Sequence, residues 1–314
     1  MHSFPPTSVQ LLSGLRIQSA NLGLRVASRA VAAAIVTLGL CGPALSGEVA
    51  DTVSRLEQRL GGRIGVVLRE TGADTPVVAI RADERFPTAS TFKPSLCAAV
   101  LARVERGEER LDRKIAYQPS DLVTYSPVTE KYAGGPGLTI DALCEASVSV
   151  SDNTATNLLL TTVGGPKGVT TFLRGIGDDT TRLDRTEPEL NASIPGDPRD
   201  TTTPAAMART LETLILGAGL APASRKRLET WMVNDKVADA LIRKHLPPTW
   251  RIADKTGAGA NGTRGIISVI WPETGTPHLA VIYMTGSSAD ITTRNAAIAE
   301  IGKAMISEIS ARQE

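Results

Sequence analysis

Apolar positions along the chain change their period more than once. Val53, Leu56 and Leu60 recur at spacings of three and four, the period of one helical face, and Gly61-Gly62 follows as a stop. The β-branched runs "RIGVVLRE" and "PVVAIRAD" flank "TGADT", which predicts a hairpin. From residue 90 to about residue 230 the helical period prevails, broken by long loops. Within that stretch Thr203 and Pro204 supply an N-cap and a first-turn proline to a helix that stops at Gly217. Extended runs return in "WRIADKTG", "TRGIISVIWP" and "HLAVIYMTG". The chain then closes on a helix striped with Ile298, Ile301, Met305 and Ile309. Strands at both ends and helices between them predict an α/β (α+β) fold. Its core would be one antiparallel sheet of about five strands, flanked by the terminal helices, with an all-helical domain inserted. The expected division is 47–87 with 233–314 for the sheet and 88–232 for the helical insert, with a ligand cleft between them.

The first 46 residues break this picture. They carry Arg16, Arg25 and Arg29 but no Lys, Asp or Glu, then the apolar run "AVAAAIVTLGLC" and the small residues Ala44 and Ser46. Charge, apolar core and small-residue site in that order predict an export signal cut near Ser46, and the run is too short to span a bilayer. Leu40 before Cys41 is a poor match to a lipoprotein site, so no membrane anchor is expected after cleavage. Losing the three arginines turns the net charge of +1 into −2, which leaves nothing to attract nucleic acid. Cys97 and Cys144 remain, in an oxidising compartment where either one disulfide or two buried thiols is consistent with the count.

Candidate chemistry begins with "STFK". Ser90 and Lys93 at i and i+3 share a helix face, so a weak hydroxyl nucleophile has an amine one turn away. Alone, this spacing is about as frequent by chance as by function. Pro94 adds a constraint: in a helix capped by Ser90 it would disturb the bond to the Ser90 carbonyl, which predicts a later start or a distorted first turn. Two more triplets follow in order, Ser151-Asp152-Asn153 between helical runs and Lys255-Thr256-Gly257 at a strand end. All three in this order arise by accident in roughly one chain in a thousand.

With these triplets the chain resembles the serine β-lactamases and penicillin-binding enzymes. Residues 185–200, "RTEPELNASIPGDPRD", resemble the Ω-loop of class A β-lactamases, and "DLVTYSPVTEKY" and "TTTPAAMA" extend the likeness over the mature chain. The resemblance implies that Ser90 attacks the β-lactam carbonyl, with Lys93, or Glu187 through a water, taking its proton. It implies that the N–H groups of Ser90 and Ala258 hold the oxyanion and that Ser151 protonates the leaving nitrogen. Lys255, Thr256 and Arg264 would meet the substrate carboxylate, with Gly257 in the same strand motif. Asn153 would meet the acylamino group, and Tyr125 would wall the entrance. Glu187 and Asn191 would hold the hydrolytic water. Arg185 and Asp200 would tie the loop ends, the bond before Pro188 would be cis, and Cys97 and Cys144 would form a disulfide. Asp152 is read as structural.

Departures from the family pattern narrow the expectation. Ala89 and Gly259 stand where carbapenem-hydrolysing relatives carry a cysteine pair, and Thr186 replaces an aromatic beside the loop glutamate. Lys255 at the head of its triplet argues against the carbenicillinase-like branch. The expected enzyme is a monomeric, periplasmic or secreted hydrolase of penicillins and early cephalosporins, without cofactor or metal. The alternative is a D-alanyl-D-alanine peptidase or penicillin sensor. Mature histidines are only His245 and His278 and no G-x-S-x-G occurs, which disfavours triad and zinc hydrolases.

Overall fold

The computed structural model describes residues 45–313. The expected leader therefore lies outside the described residues except for Leu45 and Ser46, which open α1 (Leu45–Leu60). Among the described residues no helix is long and apolar enough to cross a membrane.

The chain runs from α1 into β1 (Arg63–Glu70) and β2 (Val78–Ile80), the expected hairpin, with Val66 opposite Ile80. A two-residue strand β3 (Phe86–Pro87) leads to a 3-10 turn at Ala89–Phe92 and helix α2 (Lys93–Glu105). The short pair β4 (Lys114–Ile115) and β5 (Leu138–Thr139) precedes α3 (Ile140–Ser149), α4 (Asn153–Thr162) and α5 (Gly165–Gly175). After the loop come β6 (Thr201–Thr202), which pairs with β3, then α6 (Pro204–Leu211) and α7 (Pro222–Val233). Three long strands, β7 (Arg251–Ala258), β8 (Arg264–Trp271) and β9 (His278–Thr285), and helix α8 (Ile291–Ala311) complete it.

The main sheet has the order β2-β1-β9-β8-β7, all pairs antiparallel. The first and last strand groups thus meet at the β1–β9 ladder, where Val66 faces Ile282. Both faces are covered, which explains why β8 and β9 read as continuous apolar runs rather than alternating ones. Alternation persists in which cover each residue meets. Ala280, Ile282 and Met284 pack with Val49, Val53 and Leu56 of α1 and the Ile298–Ile309 stripe of α8. Leu279, Val281 and Tyr283 pack instead with Phe92 of the 3-10 turn, with Leu96 and Leu101 of α2 and with α3, α4 and α6. Truncating a fully buried leucine such as Leu96 should therefore cost about 2–5 kcal/mol.

Local signals resolve as the chain chemistry dictates. Gly61 takes φ +67° after α1, and the Thr203 hydroxyl accepts from Ala206 N with Pro204 in the first turn. The helix from Pro204 continues into a π turn, Glu212–Leu216, before ending at Gly217. The cysteine reading needs correction. Cys97 and Cys144 are both buried free thiols, with Cys97 Sγ 3.8 Å from the Cys144 carbonyl oxygen. They face one another between α2 and α3 as small apolar groups, and burial together with the neighbouring Cys97 raises the Cys144 thiol well above the usual range.

His278 opens β9 opposite Glu70 and is 4% exposed. Burial lowers its pKa, and Glu70 opposes that shift. Below about pH 6.5 the unfolded chain binds this proton more readily than the folded one, so stability falls with pH from there. The expected outcome is a smaller loss of Tm between pH 7 and pH 5 in His278→Leu than in the parent, by about 2–4 °C per kcal/mol. Parallel Tm–pH curves would reject this account.

Candidate active site

Ser90 lies on the 3-10 turn that runs into α2, so the helix starts late, at Lys93, with Pro94 in its first turn. There the missing Pro94 N–H needs no intrahelical partner, while Lys93 N still reaches the Ser90 carbonyl. The turn is held against the sheet from behind: Thr91 Oγ1 and Tyr283 Oη are 2.7 Å apart in a fully buried contact. In front, β7 passes so close that a Cβ on Gly257 would stand 3.0 Å from Ser90 N and 2.9 Å from Thr88 O. Only glycine fits, and the close approach brings the Ser90 N–H and the end of β7 to one place.

Beneath Ser90, Lys93 is completely buried. Its Nζ donates to Ser151 O at 2.9 Å, Ser151 Oγ at 3.3 Å and Asn153 Oδ1 at 2.7 Å, and lies 3.1 Å from Glu187 Oε1. Burial lowers the Lys93 pKa; Glu187, the nearest opposing charge, works to raise it. Ser151 is delivered between α3 and α4 with φ +63°, and Asp152 caps α4 through Ala155 N while accepting from Val128 N and Thr129 N. Asn153 Nδ2 donates to Thr124 O at 2.8 Å, which leaves one amide hydrogen for other partners.

Glu187 arrives on the loop between α5 and β6. The Glu187-Pro188 bond is cis. Arg185 Nε donates to Asp200 Oδ2 at 2.6 Å, and the other Asp200 oxygen takes the N–H groups of Asp184 and Arg185. Thr186 is exposed, so the loop packs through buried Leu190 rather than through the position beside the glutamate. Asn191 Nδ2 donates to Glu187 Oε2 at 2.5 Å, and Asn191 O accepts from Ala260 N, which ties the loop to the β7–β8 connection. Glu187 Oε1 meets no protein donor besides the Lys93 ammonium, and Asn191 Oδ1 is a buried acceptor without a hydrogen-bond donor from the protein.

Sequence reasoning assigned no role to Asn157. Its side chain grips the backbone of Glu187 at both ends, Nδ2 to Glu187 O at 2.8 Å and Glu187 N to Oδ1 at 2.9 Å. The signal was present: Asn157 stands four residues after Asn153, on the same face of α4.

These groups open on a cleft of about 320 Å³ lined by Ser90, Tyr125, Ser151, Asn153, Thr256 and Arg264, among others. Four other hollows among the described residues are larger, and none of the four holds a hydroxyl beside a buried amine. Tyr125 is half exposed at the rim. Ala258 is exposed at the strand end, and Arg264 holds Gly257 O at 3.0 Å and Asn295 Oδ1 at 2.8 Å. Lys255 is fully buried and donates to Thr256 O at 3.0 Å, and it does not itself line the cleft. Burial, opposed by Asp235, brings the Lys255 pKa down to about 8 and that of Arg264 to about 10. Among the described residues no cluster of His, Cys, Asp or Glu could hold a metal.

The model of the β-lactamase enzyme family matches residues 48–309. The chain belongs to that family. Solved relatives agree: an ancestral class A β-lactamase of the last common ancestor of Gram-negative bacteria is 54% identical over 82% of this chain and 99% of its own, with a TM-score of 0.80. A point mutant of that ancestral enzyme is 53% identical over 83% and 98%, TM-score 0.81. The putative class A β-lactamase PenP from Rhodopseudomonas palustris is 48% identical over 82% and 98%, TM-score 0.80. The enzyme is a class A serine β-lactamase, a hydrolase of β-lactams.

In this β-lactamase, Asn157→Ala removes both bonds that hold the Glu187 backbone, a loss of about 1–3 kcal/mol per unpaired group. A fall of kcat for β-lactam hydrolysis by about 10–100-fold with KM within about threefold is expected. Steady-state kinetics check it, and an unchanged kcat would show the clamp to be dispensable.

Proposed function

We propose that this β-lactamase works through a Ser90 acyl-enzyme that a Glu187-activated water hydrolyses. One observation carries the reading: Asn191 Oδ1 is a buried acceptor that no protein donor satisfies, and Glu187 Oε1, on the carboxylate that Asn191 contacts, meets only the Lys93 ammonium. A water between them can donate both hydrogens and point a lone pair at an ester on Ser90, and ion-pairing of Lys93 to Oε1 keeps the carboxylate in place.

Before that step Ser90 Oγ attacks the lactam carbonyl, and its proton passes to Lys93 or Glu187. The Ser90 and Ala258 N–H groups receive the oxyanion, a donor pair whose single loss typically costs about 3 kcal/mol. Ser151 Oγ, already in contact with Lys93 Nζ, carries the proton to the departing ring nitrogen. Arg264, Thr256 and, buried beside it, Lys255 present charge and hydroxyl to the substrate carboxylate, and the free amide hydrogen of Asn153 meets the acylamino carbonyl. Tyr125 forms the wall at the rim. The cleft lies between the sheet of 47–87 with 233–314 and the helical residues 88–232, which we read as two domains.

We read the substrates as penicillins and early cephalosporins, because Ala89 and Gly259 stand where carbapenem-hydrolysing relatives carry a cysteine pair. We read the enzyme as an exported monomer that acts in the periplasm or outside the cell, without anchor or cofactor. A peptidase that stays acylated would have no use for the paired acceptors of Glu187 and Asn191.

The purified mature enzyme should turn over nitrocefin continuously, whereas Glu187→Ala should give a burst of about one equivalent and then stall, with a mass adduct on Ser90. Stoichiometric acylation of the parent without turnover would reject the hydrolytic role of Glu187. A Glu187→Ala variant that turns over at the parent's rate would do the same.

A further inference from the structure

The roles given so far fall to the polar groups of the cleft and to Tyr125, and they leave one apolar wall without a use. Among the described residues four large apolar side chains stand exposed, and two of them, Tyr125 and Ile291, line this cleft. Scattered exposed apolar residues need no explanation, but two at the mouth of one site do. Ile291 is the first residue of α8 and is 43% exposed.

The helix itself aims Ile291 at the cleft. Ile291 stands seven residues before Ile298, two turns along the same face, so it continues the inward stripe of α8. The packed part of that stripe begins at Ala297, however, and Ile291 joins neither apolar core. One turn after Ile291, Asn295 Oδ1 accepts from Arg264 Nε at 2.8 Å. Residues i and i+4 of a helix are neighbours, about 5–6 Å apart at Cβ, so Ile291 stands beside the group that holds Arg264. Ile291 and Arg264 then line the same end of the cleft. This turn is fixed in place. Asp290 Oδ1 caps it through Thr293 N at 2.7 Å, and Arg294 Nη1 donates to Thr263 O, just before Arg264, at 3.1 Å.

We propose that Ile291 is a specificity-determining residue, an apolar rest for the substituent that neighbours the substrate carboxylate. The proposal rests on the reading that Arg264 and Thr256 meet that carboxylate, and it deepens that reading. In penicillins the ring carbon beside the carboxylate-bearing one carries two methyl groups; in cephalosporins it is C3, which carries a variable group. A substrate held by its carboxylate on Arg264 therefore brings this substituent to the end of the cleft where Ile291 lies. Contact there removes apolar surface of both partners from water, so the gain grows with the apolar size of the substituent. The substituent keeps this contact while the lactam carbonyl is attacked, so ground state and transition state gain alike. Such binding lowers KM and leaves kcat as it is.

The test uses three cephalosporins that share one thienylacetamido group and differ only at C3: nitrocefin with dinitrostyryl, cephalothin with acetoxymethyl, and the 3-methyl analogue of cephalothin. In Ile291→Ala, KM should rise about five- to tenfold for nitrocefin and by less than about twofold for the 3-methyl compound, with cephalothin between them. The kcat values and the Tm should match the parent's. Ile291→Thr, branched alike but shorter and polar, should fall between parent and Ile291→Ala on nitrocefin, and it carries the test if Ile291→Ala does not fold. An unchanged nitrocefin KM in either folded variant, or an equal rise on all three substrates, overturns the proposal. Arg264→Ala separates this proposal from the reading beneath it, since it should raise KM for all three substrates alike. A KM in Arg264→Ala equal to the parent's on all three would instead reject the carboxylate reading.

Discussion

The active centre depends on one buried ion pair. Lys93 and Glu187 are both fully inaccessible at the side chain and sit 3.1 Å apart. Removing two charges from water costs several kcal/mol each, and their attraction offsets this only when every remaining lone pair and proton finds a partner. The surroundings supply most of those partners and leave Asn191 Oδ1 open. Ser151 O, Ser151 Oγ and Asn153 Oδ1 take the ammonium protons, Asn191 takes one carboxylate oxygen, and Asn157 fixes the Glu187 backbone. Segments far apart in sequence thus converge on one pair of charges. Such a pair is weak evidence for stability and better understood as a functional arrangement, because replacing it by apolar residues would satisfy the core at least as well.

Backbone strain gathers around the same point. Ala89, Tyr125, Ser151 and Asp200 all take positive φ without being glycine, at 41°, 68°, 63° and 54°. Each costs of order 1 kcal/mol or more and persists only where the surroundings over-determine it. Ala89 lies against Gly257 of β7, Tyr125 O accepts from Asn153 N, and Asp200 closes the Ω-loop on Arg185. The strain lies beside Ser90, beside Lys93 and at the loop that carries Glu187, so it is the cost of bringing those three together. Gly257 contributes by absence: without a side chain β7 can approach the nucleophile's own N–H.

Two covers on one sheet explain how the site is held. The face of β9 carrying Tyr283 meets the helices that present Ser90, Lys93 and Ser151, and the opposite face meets α1 and α8. Tyr283 joins the layers chemically as well, through its contact with Thr91 one residue after the nucleophile. The two cysteines show where a resemblance overreached. They lie side by side as the family pattern suggested, but as buried thiols that pack between α2 and α3.

The fold was largely legible because its signals are local. The helical stripes of α1 and α8, the Thr203 cap and the hairpin at 71–75 need only neighbouring residues, and each element formed where the pattern put it. Pro94 was enough to delay α2 to Lys93. The site residues were legible as a set of motifs, but their relations were not. Nothing in the chain states that Asn157 holds Glu187, or that Lys255 is buried with its amine on the Thr256 carbonyl. Those facts depend on side chains tens to hundreds of residues apart meeting in a region with little water, where a charge must find a partner or a shifted pKa. Sequence by itself determined which chemical groups are present and on which local elements they ride. Tertiary structure decided which are buried together, and burial is what makes their charges interact strongly enough to matter.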